Sequence, residues 1–542
     1  MRKQILLTLA SVAAITASAA VPTLRTGREW LEIRHDGRRH SYAWVVNPQI
    51  AVDSLESSAR TVTFISDIDT INITGLDIYQ SADFVVVTAS GDTAVTRVVR
   101  IPEVLYENPP VRLRRQDGSV RLSREQASFD LDALKYALSQ IHPDIYSVVG
   151  QEKLLTAFND AKHSLPDSLT TIDLYRIAAP LVSMIGDGHT CLGFPYNDLF
   201  TKELKRLPLS VMPEIDMSLT ARSSLDSIIP AGSKILSIND IPASDILDAM
   251  LPFVSGERRH FKISRINYSF SALFEMLYGG KEHYSVKYVA PGSKKEQTAL
   301  LPAVDWEQLK ARVRSSAGQA GRREPYSYSI RGNGKIAVME FNQCVNPAGM
   351  KNLCDSMFAD LRSRGIRKLI IDVRNNGGGN SQVGDVLLRY IARKPFIQFS
   401  KSLVKISPMT ARMTGRYDGC PRIDFSTTQD EYYIRPYDAD NGHFDGEVVL
   451  LTSHNTFSSA SSFAWAFKEA GAGKTIGEET GGMNVCYGDI LTWSAPISGI
   501  PCTISYKRFW QMNADENDIH GALPDVAVPA DKALDRALRL LK

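Results

Sequence analysis

In the C-terminal part of the chain, short unbroken apolar runs alternate with segments whose apolar residues recur every three to four positions. Residues 335–341, 368–374 and 448–451 show the first pattern and predict buried strands. Residues 350–361, 460–467 and 533–541 show the second and predict helices with one buried face. Strands alternating with helices predict a layered α/β core over 325–542. Upstream, the stripe Leu131, Leu134, Leu138 and Ile141, followed by helical segments at 154–158 and 172–184, predicts a helical cap over 119–197. From about residue 206 to 294 the chain reads as β-rich, with a strand–turn element at 230–242 and a helix at 244–250. Residues 21–115 alternate polar and apolar positions, as in Thr61-Val62-Thr63-Phe64-Ile65, with turns such as Ser90-Gly91-Asp92 between the runs. That pattern predicts an all-β sandwich module, joined to the cap through a linker containing Pro109-Pro110. Trp30 and Trp44 in this module read as core residues, with a binding face as the alternative. The fold class expected is therefore multidomain α+β.

Candidate chemistry lies where the strands end. The run 448–451 leads through Thr452-Ser453-His454-Asn455-Thr456-Phe457-Ser458-Ser459 into a helix whose buried face is Ala460, Phe463, Ala464 and Phe467. A helix start offers unpaired N–H groups and partial positive charge, which suits an activated hydroxyl and a developing oxyanion. Ser458 is the candidate nucleophile; the alternative is that Ser458 or Ser459 only caps the helix. The strand at 368–374 ends in Asn375-Asn376-Gly377-Gly378-Gly379, where glycines let a backbone N–H approach a reacting carbonyl. A plain flexible turn is the competing reading, and the spacing is not that of a phosphate-binding loop. His189, in Gly186-Asp187-Gly188-His189, sits on a turn closing a helical segment, with the exposure a general base needs. His142, before Pro143, reads as a helix terminator.

These segments together resemble the C-terminal processing (tail-specific) serine peptidases and their tricorn-core-like branch. Asp372-Val373-Arg374-Asn375-Asn376-Gly377-Gly378-Gly379 is similar to that family's Asp-x-Arg-x-Asn-x-Gly-Gly signature. The segment 456–460 resembles its nucleophile turn, and Gly477-Glu478 its Gly-Glu strand. The resemblance covers about residues 125 to 542 and leaves the N-terminal module outside. It implies a core of strand-strand-helix spiral (crotonase/ClpP-like) type, a PDZ-like domain at 198–300, and no cofactor or metal. It also implies Ser458 as nucleophile, His189 as base, and the N–H groups of Gly378 and Ser459 as oxyanion donors. Where the bacterial tail-specific branch carries a lysine base, this chain has Gly481-Gly482-Met483-Asn484, so the His of the tricorn-like branch is the implied base. The late acid that precedes Gly521-Ala522-Leu523-Pro524-Asp525 is Asp518, with Glu516 as the second choice. The implied substrate is a peptide or protein, with its C-terminus as the expected point of engagement. The PDZ-like domain lacks a recognisable carboxylate loop, so gating the site is its other reading. A catalytically inactive binding or carrier protein on the same fold is the alternative function.

Composition narrows this little further. Sixty-two basic and 60 acidic residues leave a net charge of +2 over 542 residues, which gives no reason to expect nucleic acid. Residues 1–20 have the basic start, apolar run and small-residue end of a secretory signal peptide, and no later run is long enough to span a membrane. An exported protein is expected, whether periplasmic, cell-surface or secreted. None of the six cysteines has metal-ligand spacing, and Cys486 with Cys502 is the pair expected to bridge if any does.

Overall fold

The computed structural model describes residues 118–542 except 202, 225–226, 306, 309–323, 417–423, 430–431 and 441, together with the backbones of seven strands between 23 and 99. The signal-peptide pattern at 1–20, the Pro109-Pro110 linker and the side chains of Trp30 and Trp44 lie outside the described residues. The N-terminal strands form two antiparallel sheets. One contains Thr23–Thr26, Leu31–Arg34, Thr70–Ile73 and Val62–Phe64; the other contains Ser41–Val45, Ser81–Val87 and Thr93–Val99.

The core is a sheet in the order Tyr326–Arg331, Ile336–Phe341, Lys368–Asp372, Glu447–Thr452, Lys474–Gly477 and Val526–Ala527. The first pair is antiparallel and the rest run parallel. Parallel strands covered on both faces need apolar residues at every position, which is why these runs showed no alternation in the sequence. Ala337, Met339, Phe341, Leu369, Ile371, Val448 and Leu450 face one side, where they pack on the helices Pro347–Ser363, Gln382–Ile391 and Ser459–Glu469. Ile336, Val338, Ile370, Val449 and Leu451 face the other, under Ala533, Ala537 and Leu541 of the C-terminal helix Ala530–Leu540 and its cap. The glycine loop and the nucleophile turn discussed below leave the carboxyl ends of the central strands Lys368–Asp372 and Glu447–Thr452, as expected for parallel sheets.

A second sheet contains Cys191–Leu192, Pro501–Gln511, Phe399–Ile406 and Asp424–Gln429, with Val485–Ser494 also paired to Pro501–Gln511. It joins the cap to the core. The cap helices Arg124–Ile141 and Thr171–Ser183 start at capping boxes, Ser123 with Gln126 and Thr170 with Asp173. The buried Asp130 carboxylate accepts the N–H groups of Ile497 and Ser498 at 2.9 and 2.7 Å. Lys405 donates to the carbonyls of Ser139 and His142 at 2.5 and 2.8 Å, and burial pushes its amine down to about 8. Bonds to otherwise unpaired helix-end carbonyls explain why a lysine is tolerated inside.

A third, antiparallel sheet contains Leu209–Pro213, Leu219–Ser224, Lys234–Ile238, His283–Val289 and Glu296–Pro302. Between its third and fourth strands come the expected short helix, Ala243–Met250, and a longer one, Arg259–Tyr278, that the sequence reading did not anticipate. The longer helix buries Phe261, Ile263, Ile266, Phe270, Leu273, Phe274 and Met276, a set rich in β-branched and aromatic residues that fits a strand by local preference. Contacts on several sides override that preference. Its Glu275 is buried, accepts the Leu207 N–H at 2.8 Å, and is pushed by burial from the ordinary 4.5 up to about 7. A raised carboxyl pKa means the folded state holds the proton longer than the unfolded chain does. Its contribution therefore becomes less favourable as pH rises from 4.5 to about 7. Glu275→Gln should raise Tm relative to wild type at pH 8 and leave it unchanged near pH 4; an equal effect at both pH values would show that the carboxyl does not titrate in this window.

The expected Cys486–Cys502 bridge does not form. Both thiols are free, and Cys486 lies opposite Phe509 while Cys502 lies opposite Trp493. The hairpin register puts the two cysteines at different heights on paired strands, beyond the reach of a disulfide.

Candidate active site

Two loops at the carboxyl end of the core sheet are braced against each other. After the strand Glu447–Thr452, Ser453 donates to the Arg374 carbonyl and Thr456 to the Val373 carbonyl, at 2.5 and 2.9 Å, while the Phe457 N–H bonds the Asn376 carbonyl at 3.0 Å. The chain then turns into the helix at Ser458 with φ 53° and ψ −131°. This conformation is strained for a side chain with a Cβ, and strain of this kind clusters at functional sites. Ser458 occupies the N-cap position but makes no capping hydrogen bond. The start of the helix is tied down by other bonds, with the Ser461 hydroxyl donating to the Thr456 carbonyl at 2.7 Å and accepting the Gly482 N–H at 3.1 Å. Ser458 is thus freed from the role that the simplest sequence reading gave it.

The glycine loop approaches from the neighbouring strand. Gly378 has φ 99°, and a Cβ there would lie 2.6 Å from the Ser458 Cβ, so only glycine fits. Its N–H, expected to be an oxyanion donor, is instead held by the buried Asn376 side chain at 2.9 Å. Gly378 O and Asn380 N pair with Cys344, which leaves the N–H of Gly379 outside that bridge. Gly379 lines the same cavity as Ser458, and its carbonyl is fixed by the Ser459 hydroxyl at 2.6 Å. The N–H of Ser459, as the first residue of its helix, has no intrahelical acceptor. The signature residues Asp372 and Arg374 form a bidentate ion pair that also reaches the Ala530 carbonyl, so they fasten the loop to the C-terminal helix.

His189 arrives from the cap. The short strand Cys191–Leu192 pairs with Cys502 and Thr503, and the Thr503 hydroxyl donates to the His189 carbonyl at 2.8 Å. The imidazole packs on the Phe457 ring, with centroids 4.4 Å apart, next to the candidate nucleophile. His189 and Ser458 line one cavity of about 390 Å³ together with Gly379, Ser459, Cys486 and Phe509. Gly188 is wedged so tightly that a Cβ would lie 2.7 Å from Phe261 and 3.0 Å from Phe457. Gly188→Ala should therefore displace the Phe457 ring that supports His189 and lower kcat about tenfold or more with little change in KM; unchanged turnover would mean that this packing does not set the position of His189.

The carboxylate nearest His189 is one that sequence reasoning missed. Asp187 Oδ1 lies 3.7 Å from His189 Nδ1 and accepts the His189 N–H at 2.9 Å. Its Oδ2 accepts from the Thr190 and Ser505 hydroxyls at 2.5 and 2.7 Å and lies 3.3 Å from Nε2 of the buried His142. The Asp144 N–H bonds His142 Nδ1 at 3.1 Å, which puts the ring proton on Nε2, facing Asp187. Burial pushes the Asp187 carboxyl up, but the neighbouring His142 and His189 imidazoles together outweigh burial and hold it well below its ordinary range. The segment read as a helix terminator thus supplies a partner to the site.

The carboxylates expected from sequence lie elsewhere. Asp518 has a side chain 77% exposed, 3.7 Å from His520, while its backbone carbonyl accepts from Asn484. Glu516 is 47% exposed, between Lys401 and Arg508 at 3.7 and 3.6 Å. Neither is paired with His189. Both sit in a polar surface turn, where motif spacing predicts backbone position better than it predicts side-chain direction. In the segment that lacks the lysine, Asn484 is buried, and its side chain bonds the backbones of Val485, Asp518 and His520. Lys468 is engaged by Asp525 at 2.8 Å and by the Leu523 carbonyl at 2.6 Å.

One further carboxylate borders the site. Both oxygens of Glu257 are buried without a hydrogen-bond partner, and burial followed by the charge of Asp187 pushes the group up to about 7.

Residues 333–528 match the model of peptidase family S41. This core belongs to peptidase family S41. The chain is accordingly a serine peptidase. Solved structures of CPAF share the fold: an alanine-for-serine mutant has a TM-score of 0.56 at 14% identity, covering 77% of this chain and 96% of that one. Mature CPAF complexed with lactacystin has a TM-score of 0.54 at 14% identity, covering 77% of this chain and 97% of that one. No described helix is long and apolar enough to cross a membrane.

Proposed function

We propose that this S41 peptidase is an exported endopeptidase that cleaves peptide bonds through an acyl-enzyme on Ser458. The observation that carries the reading is a strained, uncapped Ser458 sharing one cavity with His189, which Asp187 backs. In this reading His189 Nε2 takes the Ser458 proton as Oγ attacks the scissile carbonyl. The imidazolium that forms is stabilised by the Asp187 carboxylate and then protonates the leaving amine. Water repeats the sequence to release the acid product. The Nδ1 to Oδ1 separation of 3.7 Å is long for a hydrogen bond, and such contacts often tighten only in the substrate complex. The Ser459 and Gly379 N–H groups serve as oxyanion donors, with Gly379 in the role that the family resemblance implied for Gly378. No step requires a cofactor.

The fluorophosphonate test is direct. Labelling should fall on Ser458 and depend on His189, so His189→Gln should slow it strongly while Lys468→Ala should not. A folded wild type that does not label would instead favour the inactive carrier.

The N-terminal pattern at 1–20 supports export, and the mature N-terminus determined by mass spectrometry tests it. The antiparallel sheet between Leu209 and Pro302, with its helix Ala243–Met250, is assigned here as the PDZ-like unit that engages a substrate C-terminus. Peptides with free and amidated C-termini should then differ in KM and not in kcat; equal KM values would leave that sheet a scaffolding role.

A further inference from the structure

The site contains three polar atoms whose bonding capacity the protein leaves unused. Both carboxylate oxygens of Glu257 and Nδ1 of His189 are buried without a hydrogen-bond partner. One ligand-type atom each from Asp187, His189 and Glu257 lie within 4.8 Å of one another. Burying an unpaired carboxylate is costly, and two carboxylates side by side add mutual repulsion. A cation between them would relieve both costs.

We propose that Asp187, His189 and Glu257 form a reversible inhibitory site for a divalent transition-metal cation of the zinc type. The donor set is one imidazole nitrogen and two carboxylate oxygens, which suits zinc, cobalt or nickel; calcium takes six to eight oxygens. Bonds of about 2.0 to 2.2 Å in a tetrahedral site put neighbouring ligand atoms about 3.3 to 3.6 Å apart. The widest separation in the cluster, within 4.8 Å, would have to contract by about 1.2 to 1.5 Å on binding. A solvent molecule from the cavity completes the fourth position.

Occupancy and catalysis are mutually exclusive because of the imidazole's two nitrogens. The cation takes the Nδ1 lone pair, so the ring proton must reside on Nε2, and Nε2 then cannot accept the Ser458 proton. Binding releases to solvent any proton carried by Glu257 and changes no oxidation state. Glu257 precedes the helix Arg259–Tyr278, outside the matched family segment, so the site depends on a part of the chain that the core alone does not contain.

The inhibitory consequence rests on the peptidase reading, whereas the binding does not, so the two are measured separately. The full-length Ser458→Ala protein, titrated calorimetrically with zinc, should bind one equivalent. With cobalt it should give the intense visible bands of a four-coordinate site. Adding Glu257→Gln should weaken zinc binding about tenfold or more, an effect of the size seen when metal-site support is removed. Adding His189→Ala in place of Glu257→Gln should weaken it similarly, which protects the conclusion if one variant folds poorly. In the wild type, zinc should slow fluorophosphonate labelling of Ser458, and a chelator should restore it. The absence of saturable binding to Ser458→Ala would overturn the proposal. So would affinity that survives both substitutions but is lost in His260→Ala, because the neighbouring His260–His454 ring pair, with centroids 4.3 Å apart, would then be the binding site. Failure of the wild type to hydrolyse any peptide would count against the peptidase reading and leave the calorimetric result to decide the metal site.

Discussion

Ser458→Ala should abolish peptide hydrolysis, with kcat/KM falling by a factor on the order of 10⁶, while the protein stays folded. The size of the loss follows from the role: without the hydroxyl no acyl-enzyme forms, and binding and oxyanion donors supply only the residual rate. Folding is spared because Ser458 makes no capping hydrogen bond to lose. The helix start is held instead by Ser461, Thr456 and Gly482. Alanine also keeps the Cβ that strains the backbone at φ 53°, so Tm should hardly change. Ser458→Gly separates strain from chemistry. It should be equally inactive yet more stable by about 1 kcal/mol, because glycine tolerates positive φ. Activity retained in Ser458→Ala would move the nucleophile elsewhere, with Ser459 the first to test. Unaltered stability in Ser458→Gly would show that the turn is not strained.

Asp187→Asn should lower kcat by about 10⁴-fold, the size of effect seen when a triad acid becomes an amide and the imidazole is held in the wrong tautomer. This variant should also lose stability. The carboxylate accepts from the His189 N–H and from the Thr190 and Ser505 hydroxyls, and an amide NH₂ would face donors in place of acceptors. Each mispaired buried group costs about 1–3 kcal/mol, so turnover must be measured per folded molecule. Because the Asp187 carboxyl is held well below its ordinary 3.8, its stabilising contribution is fully present above that pH and is lost only on further acidification. Asp518→Asn and Glu516→Gln make the decisive contrast. Both side chains are solvent-exposed and engaged with other groups, so both variants should keep activity within about twofold, as surface substitutions generally do. A large loss at Glu516 or Asp518 with little at Asp187 would reverse the assignment.

These contrasts mark where the sequence is legible. The central core strands at 336–341, 368–372 and 447–452 and the helices at 347–363, 459–469 and 530–540 lie close to the expected limits, because buried parallel strands and helices with one apolar stripe leave strong periodic signals, whereas the strand Tyr326–Arg331 and the helix Gln382–Ile391 were not read. The helix Arg259–Tyr278 was missed because its residues individually favour strands and its burial on several sides erases the stripe. Ser458, His189 and the glycine loop were marked by local turn chemistry, and all three border one cavity. The acid was not legible from motif spacing. Asp187 stood two residues before His189, and its adjacency to the base was a signal available to any reading that asked what could reach Nδ1.

What the sequence determined by itself is what depends on neighbours along the chain: strand and helix periods, the sharp turn before the helix, and the absence of a lysine at 481–484. Tertiary structure alone decided everything that depends on side chains meeting across the fold. The Asn376 amide occupies the Gly378 N–H and leaves that of Gly379 outside the Cys344 bridge. Ser505, from a strand more than three hundred residues downstream, completes the cradle of Asp187. Glu257 comes to lie beside His189 with no partner of its own. Such contacts leave no periodic trace, because hydrogen bonding acts over about 3 Å in space whatever the separation along the chain.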